Sequence, residues 1–264
     1  MNRRITRELL EKVFAGLPEV SVFALLDAIS ERKAKKALQL LRRQLNDGTY
    51  FTVILALLTR HVRQLWQAQV LQQQGVERHA VEVVNWPEYP YAPQVHFQIA
   101  HDEAHIFLHW EVEEAAVGAL ELHDNGRVWE DSCVEFFLSP DGDDVYYNLE
   151  CNCIGTALLG GGRMGTERPH ASATTMAQIR RWASLGYQPL DPNEVTGFWQ
   201  LSLIIPVQCY FLHRLTSLSG REMRANFYKC GDLLPVPHFL SWKAIDTPKP
   251  SFHQPGFFGK IRFE

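Results

Sequence analysis

The sequence predicts a mainly β protein, a β-sandwich or jelly roll, with an α-helical segment in front of it. Three observations carry that prediction. Up to Gly75 the apolar residues recur at helical spacing, whereas from Val95 onward they alternate with a period of two. The charge changes sign at the same place: residues 1–75 hold 12 Lys and Arg against 6 Asp and Glu, and residues 76–264 hold 14 against 24. Ten of the eleven His, all five Cys and six of the seven Trp follow the break, so the two stretches read as separate modules. An apolar fraction of 46% and a charged fraction of 21% are those of a soluble globular chain able to bury a core.

In the first module Thr6 can cap a short helix that stops at Gly16-Leu17-Pro18, and Ser21 can cap a second whose Val22, Leu25, Leu26 and Ile29 share a face. A third stripe, Ala34, Ala37, Leu38, Leu41 and Leu45, ends at Asp47-Gly48; a fourth, Ile54, Leu57, Leu58, Val62, Leu65 and Trp66, ends near Gly75. Short loops between such helices imply antiparallel packing. Arg32, Lys33, Lys35, Lys36, Arg42 and Arg43 fall on the outer faces, which a solvated surface explains better than direct nucleic-acid contact. No apolar run of signal-peptide or membrane-span length occurs, so the chain as written is expected to be cytoplasmic, with no membrane partner. A GxxxxGK[ST] phosphate loop is also missing, which leaves nucleotide hydrolysis without support.

Residues 76–94 form a junction with three prolines in seven residues (Pro87, Pro90, Pro93), extended and rigid rather than helical. Strands are then expected over 95–100, 105–112, 133–139, 145–153, 177–183, 198–205, 223–228 and 259–263. Pro140-Asp141-Gly142-Asp143 joins the third and fourth into a hairpin. Residues 158–175, with Gly160-Gly161-Gly162, are expected to be a mobile loop over one end of the sheet. The five Cys contain no CxxC pair and read as a buried, reduced set.

Parity along the hairpin separates two faces. Val145, Tyr147, Leu149, Cys151 and Cys153 form one, while Tyr146, Asn148, Glu150 and Asn152 form the other. If Glu135 lies over the Asn148-Glu150-Asn152 row, with Trp129 at the strand entrance, the sheet offers one aromatic plate beside fixed hydrogen-bonding groups. The C–H face of a pyranose stacks on an indole, and its equatorial hydroxyls need in-plane carboxylate or amide partners. Glu135 and Glu150 could instead be a general acid and base for glycoside hydrolysis, but no second carboxylate pair marks a long cleft. His238, Cys230, His253 and Cys133 match no zinc spacing, and Met164, Met176 and Met223 suggest no haem site. Asp141, Asp143 and Asp144 could hold calcium, though an acidic turn beside Gly142 explains them more simply.

Two family resemblances follow from longer blocks. NWPEYPY, VWEDSCVEFF, YYNLECNCIGT, RANFYKCGD, HFLSW and FHQPGFFGKIRF, in that order, resemble the carbohydrate-binding module family 9-like proteins. The resemblance implies a non-catalytic sandwich over residues 95–264 that holds polysaccharide or oligosaccharide ends in an aromatic clamp. By motif, Trp129 and Trp242 correspond to the clamp aromatics, Glu135 to the carboxylate and Asn226 to the amide. Arg163, or alternatively Arg168, corresponds to the arginine. The family's structural calcium has no ligands assignable here, so no cofactor is expected. Residues 21–75, SVFALLDAISERKAKKALQLL and onward, resemble the start of the C-terminal collar domain of the delta chain of bacterial DNA polymerase III. That implies a protein partner for the helices and, as the rival reading of the whole, a clamp-loader-like interaction protein.

Overall fold

The computed structural model describes Leu25, Ala28, residues 33–46 and residues 76–264. The chain divides into two units, Met1–Gly75 and Val76–Glu264. In the first, helix α1 (Ala34–Asn46) covers the third apolar stripe; the expected helices over the first and last stripes lie outside the described residues. Among the described residues no helix is long and apolar enough to cross a membrane.

The second unit is an antiparallel β-sandwich. One sheet holds five strands in the order β1 (His79–Ala80), β3 (Gln94–His101), β4 (His105–Glu114), β9 (Gly197–Pro206) and β8 (Arg180–Ala183). The other runs β2 (Val83–Val84), β11 (Phe239–Ser241), β10 (Glu222–Cys230), β5 (Cys133–Ser139), β6 (Val145–Asn152) and β7 (Ala157–Arg163), and β12 (Gly259–Arg262) also pairs with β10. The Pro-rich segment belongs to this unit: β1 and β2 join opposite sheets and Trp86 beyond them is buried. The sandwich therefore begins at Val76 and not at 95.

The period-two pattern places the core. Ile106, Leu108, Trp110 and Val112 of β4 and Trp199, Leu201, Leu203 and Ile205 of β9 pack against Val134, Phe136 and Leu138 of β5 and Phe227 of β10. The outward residues of β4 are only half-buried or exposed, whereas β5 is buried at every position and β6 at all but its first. A second apolar cluster lies on the outer face of the seven-stranded sheet, where Phe137, Tyr146, Leu158 and Tyr228 meet Trp86, Ile245, Phe252 and Phe258. A sheet covered on both faces can carry buried polar side chains only where they find partners or a cavity.

Besides β1 and β2, strand β11 is not among the strands expected from the sequence, and two further strands, β7 and β8, depart from that expectation. The glycine-rich stretch expected as a mobile loop is strand β7, followed by the short helix α2 (Ala173–Met176). Its glycines answer close approach: a Cβ on Gly161 would lie 2.9 Å from the Tyr147 ring. Strand β8 starts at Arg180, after α2, and not at Ala177. The acidic turn is tied down as a turn, with Asp141 paired to Arg221 at 3.1 Å and Asp143 accepting from the Val145 amide at 3.2 Å.

One polar cluster crosses the core. Glu114 of β4 and Lys229 of β10 are fully enclosed and pair at 2.8 Å between the two sheets. Trp199 Nε1 donates to the carboxylate at 2.7 Å, and the Lys229 ammonium donates to the Cys230 carbonyl at 2.7 Å and to His238 Nε2 at 2.9 Å. His238 sends its Nδ1 proton toward the Val236 carbonyl, which leaves Nε2 free to accept. Burial and the neighbouring Lys229 hold the imidazole down at about 3, so it is neutral.

Candidate functional site

The outer face of the seven-stranded sheet holds a cavity of about 360 Å³. Its floor comes from alternate residues of adjacent strands: Glu135 and Phe137 of β5, Asn148 and Glu150 of β6, Leu158 and Gly160 of β7, and Cys230 of β10. Register explains the grouping, because Glu135 stands opposite Glu150 and Tyr228, and Asn148 stands opposite Phe137 and Gly160. Trp129, Arg168, His170, Asp232, Phe239 and residues 250–253 complete the wall.

Trp129 lies in a 3-10 turn, Val128–Glu130, that is anchored by the buried Val128. Its own carbonyl accepts from the Asp232 amide at 3.1 Å, and Arg127 pairs with Glu130 at 2.6 Å across the turn. The indole is half-buried and the residue lines the cavity.

Arg168 is held rigidly. Nη1 donates to the Gly162 carbonyl at 2.8 Å; Nη2 donates to the Tyr146 carbonyl at 3.0 Å and to Asn148 Oδ1 at 2.6 Å. The guanidinium also stacks 3.8 Å above the Tyr146 ring. Asn148 passes the chain of bonds on, since its Nδ2 donates to Glu150 Oε1 at 2.9 Å. Gly160 makes room for that amide: a Cβ there would sit 2.6 Å from Asn148 Oδ1. Gly160→Val is therefore expected to lower unfolding free energy by about 1–3 kcal/mol, the usual cost of overpacking, in urea denaturation. An unchanged midpoint would mean that Asn148 swings aside freely.

The acids of the cavity are all held toward their neutral forms. Burial, then the charge of neighbours including Glu150, pushes Glu135 well above the usual carboxylate range. Burial likewise raises Glu150 to about 7, with Asp232 adding to the shift and the Asn148 donor and Arg168 opposing it. Asp232 rises to about 6 through burial and the charge of Glu130. Glu135 Oε1 accepts from the Cys230 thiol at 3.1 Å, while Glu150 Oε2 and Arg168 Nε are buried without a partner. Burial and Arg168 lower His253 to about 4, and its Nδ1 lies 3.0 Å from the Tyr146 hydroxyl.

Of the residues singled out in the sequence, Trp129, Glu135, Asn148 and Glu150 come together here, and four others do not. Trp242 does not face Trp129: it packs into the sandwich core, edge-on to Phe227 at 5.5 Å and Phe97 at 6.0 Å, with Lys243 over its ring. Parity is the reason, because Trp242 shares the inward face of Leu240 while Phe239 takes the cavity face. Asn226 is fully buried and holds the segment after β11, accepting from the Lys243 amide at 2.9 Å and donating to its carbonyl at 3.0 Å. Asn152 donates to Asp131 at 2.9 Å and to the Glu121 carbonyl at 3.0 Å, outside the cavity. Arg163 is exposed at the end of β7, and the arginine at the cavity is Arg168. Asp232, His170 and Phe252 lie on the wall although sequence reasoning passed over them. The FHQPGFF block carried Phe252 and His253 in plain view, but nothing local says that this segment folds back over the sheet.

The zinc set imagined from sequence does not assemble. His238 lies with Lys229 and His253 with Tyr146. Among the described residues, the one group of at least three metal-type donors within 4.8 Å of one another is Cys133, Glu135 and Cys230. Burial raises Cys133 to about 12, which keeps that thiol protonated.

Residues 66–263 match the model of carbohydrate-binding family 9. The chain belongs to that family. A crystal structure from Bacteroides uniformis ATCC 8492, described as a candidate carbohydrate-binding protein, is 49% identical with a TM-score of 0.73, covering 75% of this chain and 90% of that one. Two family 9 structures from Caldicellulosiruptor kristjanssonii, in complex with glucose and with cellotriose, are more distant. They show 12% and 13% identity, TM-scores of 0.45 and 0.44, and coverage of 72% of this chain and 85% and 84% of theirs. Residues 19–90 match the model of the C-terminal domain of the DNA polymerase III delta subunit, overlapping the family 9 match from 66 to 90. No curated protein matches the chain.

Proposed function

We propose that the 76–264 unit of this family 9 chain binds carbohydrate at the outer-face cavity and performs no chemistry on it. The observation that carries the reading is the pairing of one half-buried indole, Trp129, with rigidly held polar groups, Asn148, Glu150 and Arg168, around a space of about 360 Å³. Stacking on the indole would orient a sugar ring, and the fixed acceptors and guanidinium would select its hydroxyls. The clamp has one tryptophan, and the other aromatic walls are Phe137, Phe239 and Phe252.

A hydrolytic reading finds less support. Glu135 and Glu150 are cross-strand neighbours on a single floor, whereas a catalytic pair must reach a glycosidic bond from two sides. Titration of the intact protein with gluco- and xylo-oligosaccharides by calorimetry tests the proposal. Saturable binding is expected, weakened by about 1–3 kcal/mol in Trp129→Ala, the range for an aromatic anchor. Unchanged affinity in a folded Trp129→Ala protein would remove Trp129 from the site, and release of reducing sugar would show chemistry.

A further inference from the structure

On the premise that the cavity is a carbohydrate site, the carboxylate that meets the ligand can be told apart from those that only build the floor. Three acids line it, Glu135, Glu150 and Asp232. Glu135 and Glu150 are 3% and 4% exposed and already engaged, Glu135 Oε1 with the Cys230 thiol at 3.1 Å and Glu150 Oε1 with the Asn148 amide at 2.9 Å. Asp232 differs on both counts. It is half-buried, and among the described residues its carboxylate has no hydrogen bond or ion pair. Neither of its oxygens is among the enclosed side-chain atoms that lack a partner, so both reach open space. That space is the cavity, because Asp232 lines it and its charge is felt by both Glu135 and Glu150 on the floor.

The backbone ties Asp232 to the indole. The Asp232 amide donates to the Trp129 carbonyl at 3.1 Å and the Leu233 amide donates to the Glu130 carbonyl at 3.1 Å, so the turn that carries Trp129 and the loop after β10 are held as one piece. A pyranose stacked on the indole has its plane set by Trp129 and its equatorial hydroxyls at the edge. In a β-1,4-linked chain the linkage uses O4 of every unit but the terminal one, and the adjacent hydroxyls left on each ring are O2 and O3. An ionised carboxylate has two oxygens that accept side by side, and such charge-assisted bonds are the stronger ones. We propose that Asp232 is the ligand-contacting carboxylate, accepting from the equatorial O2 and O3 hydroxyls of the sugar that lies on Trp129, and that Glu135 serves the floor beneath. A sugar with O2 axial sends that hydroxyl out of the ring plane and keeps only one of the two bonds.

Calorimetry on the intact protein at neutral pH with cellobiose, xylobiose and β-1,4-mannobiose tests this. Cellobiose and xylobiose share equatorial O2 and O3, whereas mannobiose carries O2 axial. The first two are expected to bind at least about tenfold more tightly than mannobiose, as one charged hydrogen bond warrants. Asp232→Asn is expected to weaken cellobiose and xylobiose by at least about tenfold and to close most of the gap to mannobiose. Glu135→Gln, which keeps an oxygen to accept from Cys230, is expected to cost less than Asp232→Asn. Because the Asp232 carboxylate bonds to nothing in the fold, Asp232→Asn should keep the natural unfolding midpoint; a variant that fails to fold would show that the carboxylate serves the fold and overturns the inference. Mannobiose binding as tightly as cellobiose, an equal loss for all three sugars in Asp232→Asn, or a loss in Glu135→Gln at least as large overturns it too and leaves carbohydrate binding intact. No binding by any of the three overturns the carbohydrate reading and this inference with it.

Discussion

Lys229→Met is expected to lower the unfolding free energy of the sandwich by about 3–5 kcal/mol, the cost of leaving a buried carboxylate without its cation. Glu114 would keep the Trp199 indole donor but lose the ammonium 2.8 Å away, and no water can reach it because its side chain is fully enclosed. His238, whose Nε2 lies 3.5 Å from the carboxylate, is the remaining group that could take up a proton, and burial, the larger of the causes that hold it at about 3, opposes that. The double replacement Glu114→Leu with Lys229→Met should recover most of the loss, because an ion pair and an apolar pair of similar volume are close in free energy. Urea unfolding followed by tryptophan fluorescence measures both, and six of the seven tryptophans report on this unit. A single replacement that costs under about 1 kcal/mol would show that the pair is not enclosed in solution.

Glu150→Gln is expected to change how stability depends on pH. The folded protein holds this carboxyl at about 7 against an ordinary value of 4.5. Between those values the native state binds more protons than the unfolded chain, so stability falls as pH rises through the window. Glutamine retains the oxygen that accepts from Asn148 and removes the ionisation. The variant should therefore match the natural protein at low pH and gain on it above pH 7 by roughly 3 kcal/mol, the equivalent of that shift. Glu135, raised in part by Glu150, contributes to the same gain. Denaturation midpoints at pH 5 and pH 8 measure it, and a difference that is equal at the two pH values would mean that Glu150 is not held neutral.

The two predictions concern polar residues of the same fold that differ in how visible they were. Glu150 was legible in the sequence, because strand parity put it in a row with Asn148 and Asn152 on the face opposite Leu149, and the first two of that row floor the cavity while Asn152 lies outside it. Lys229 and Glu114 were not singled out, since a charged residue in an alternating strand normally faces water and only the partner sheet shows otherwise. The same limit governed the clamp. HFLSW offers Phe239 and Trp242 on opposite faces, and choosing between them requires knowing that Phe239 looks toward the covering segment around Phe252. Arg163 and Arg168 flank a short turn, and Asn148, Tyr146 and Gly162 select the second of them.

The sequence by itself determined what is local and periodic: the break near Gly75, the hairpin of β5 and β6, the parity that divides core from floor, and the family. Tertiary structure alone decided which side chains share the cavity, because segments distant in the chain, around 129, 168, 232, 239 and 252, converge on one sheet face. Alternation assigns a residue to a side of its own strand. What covers that side, and so whether a carboxylate there meets water, a cation or an unfilled space, depends on how the remaining chain closes over it.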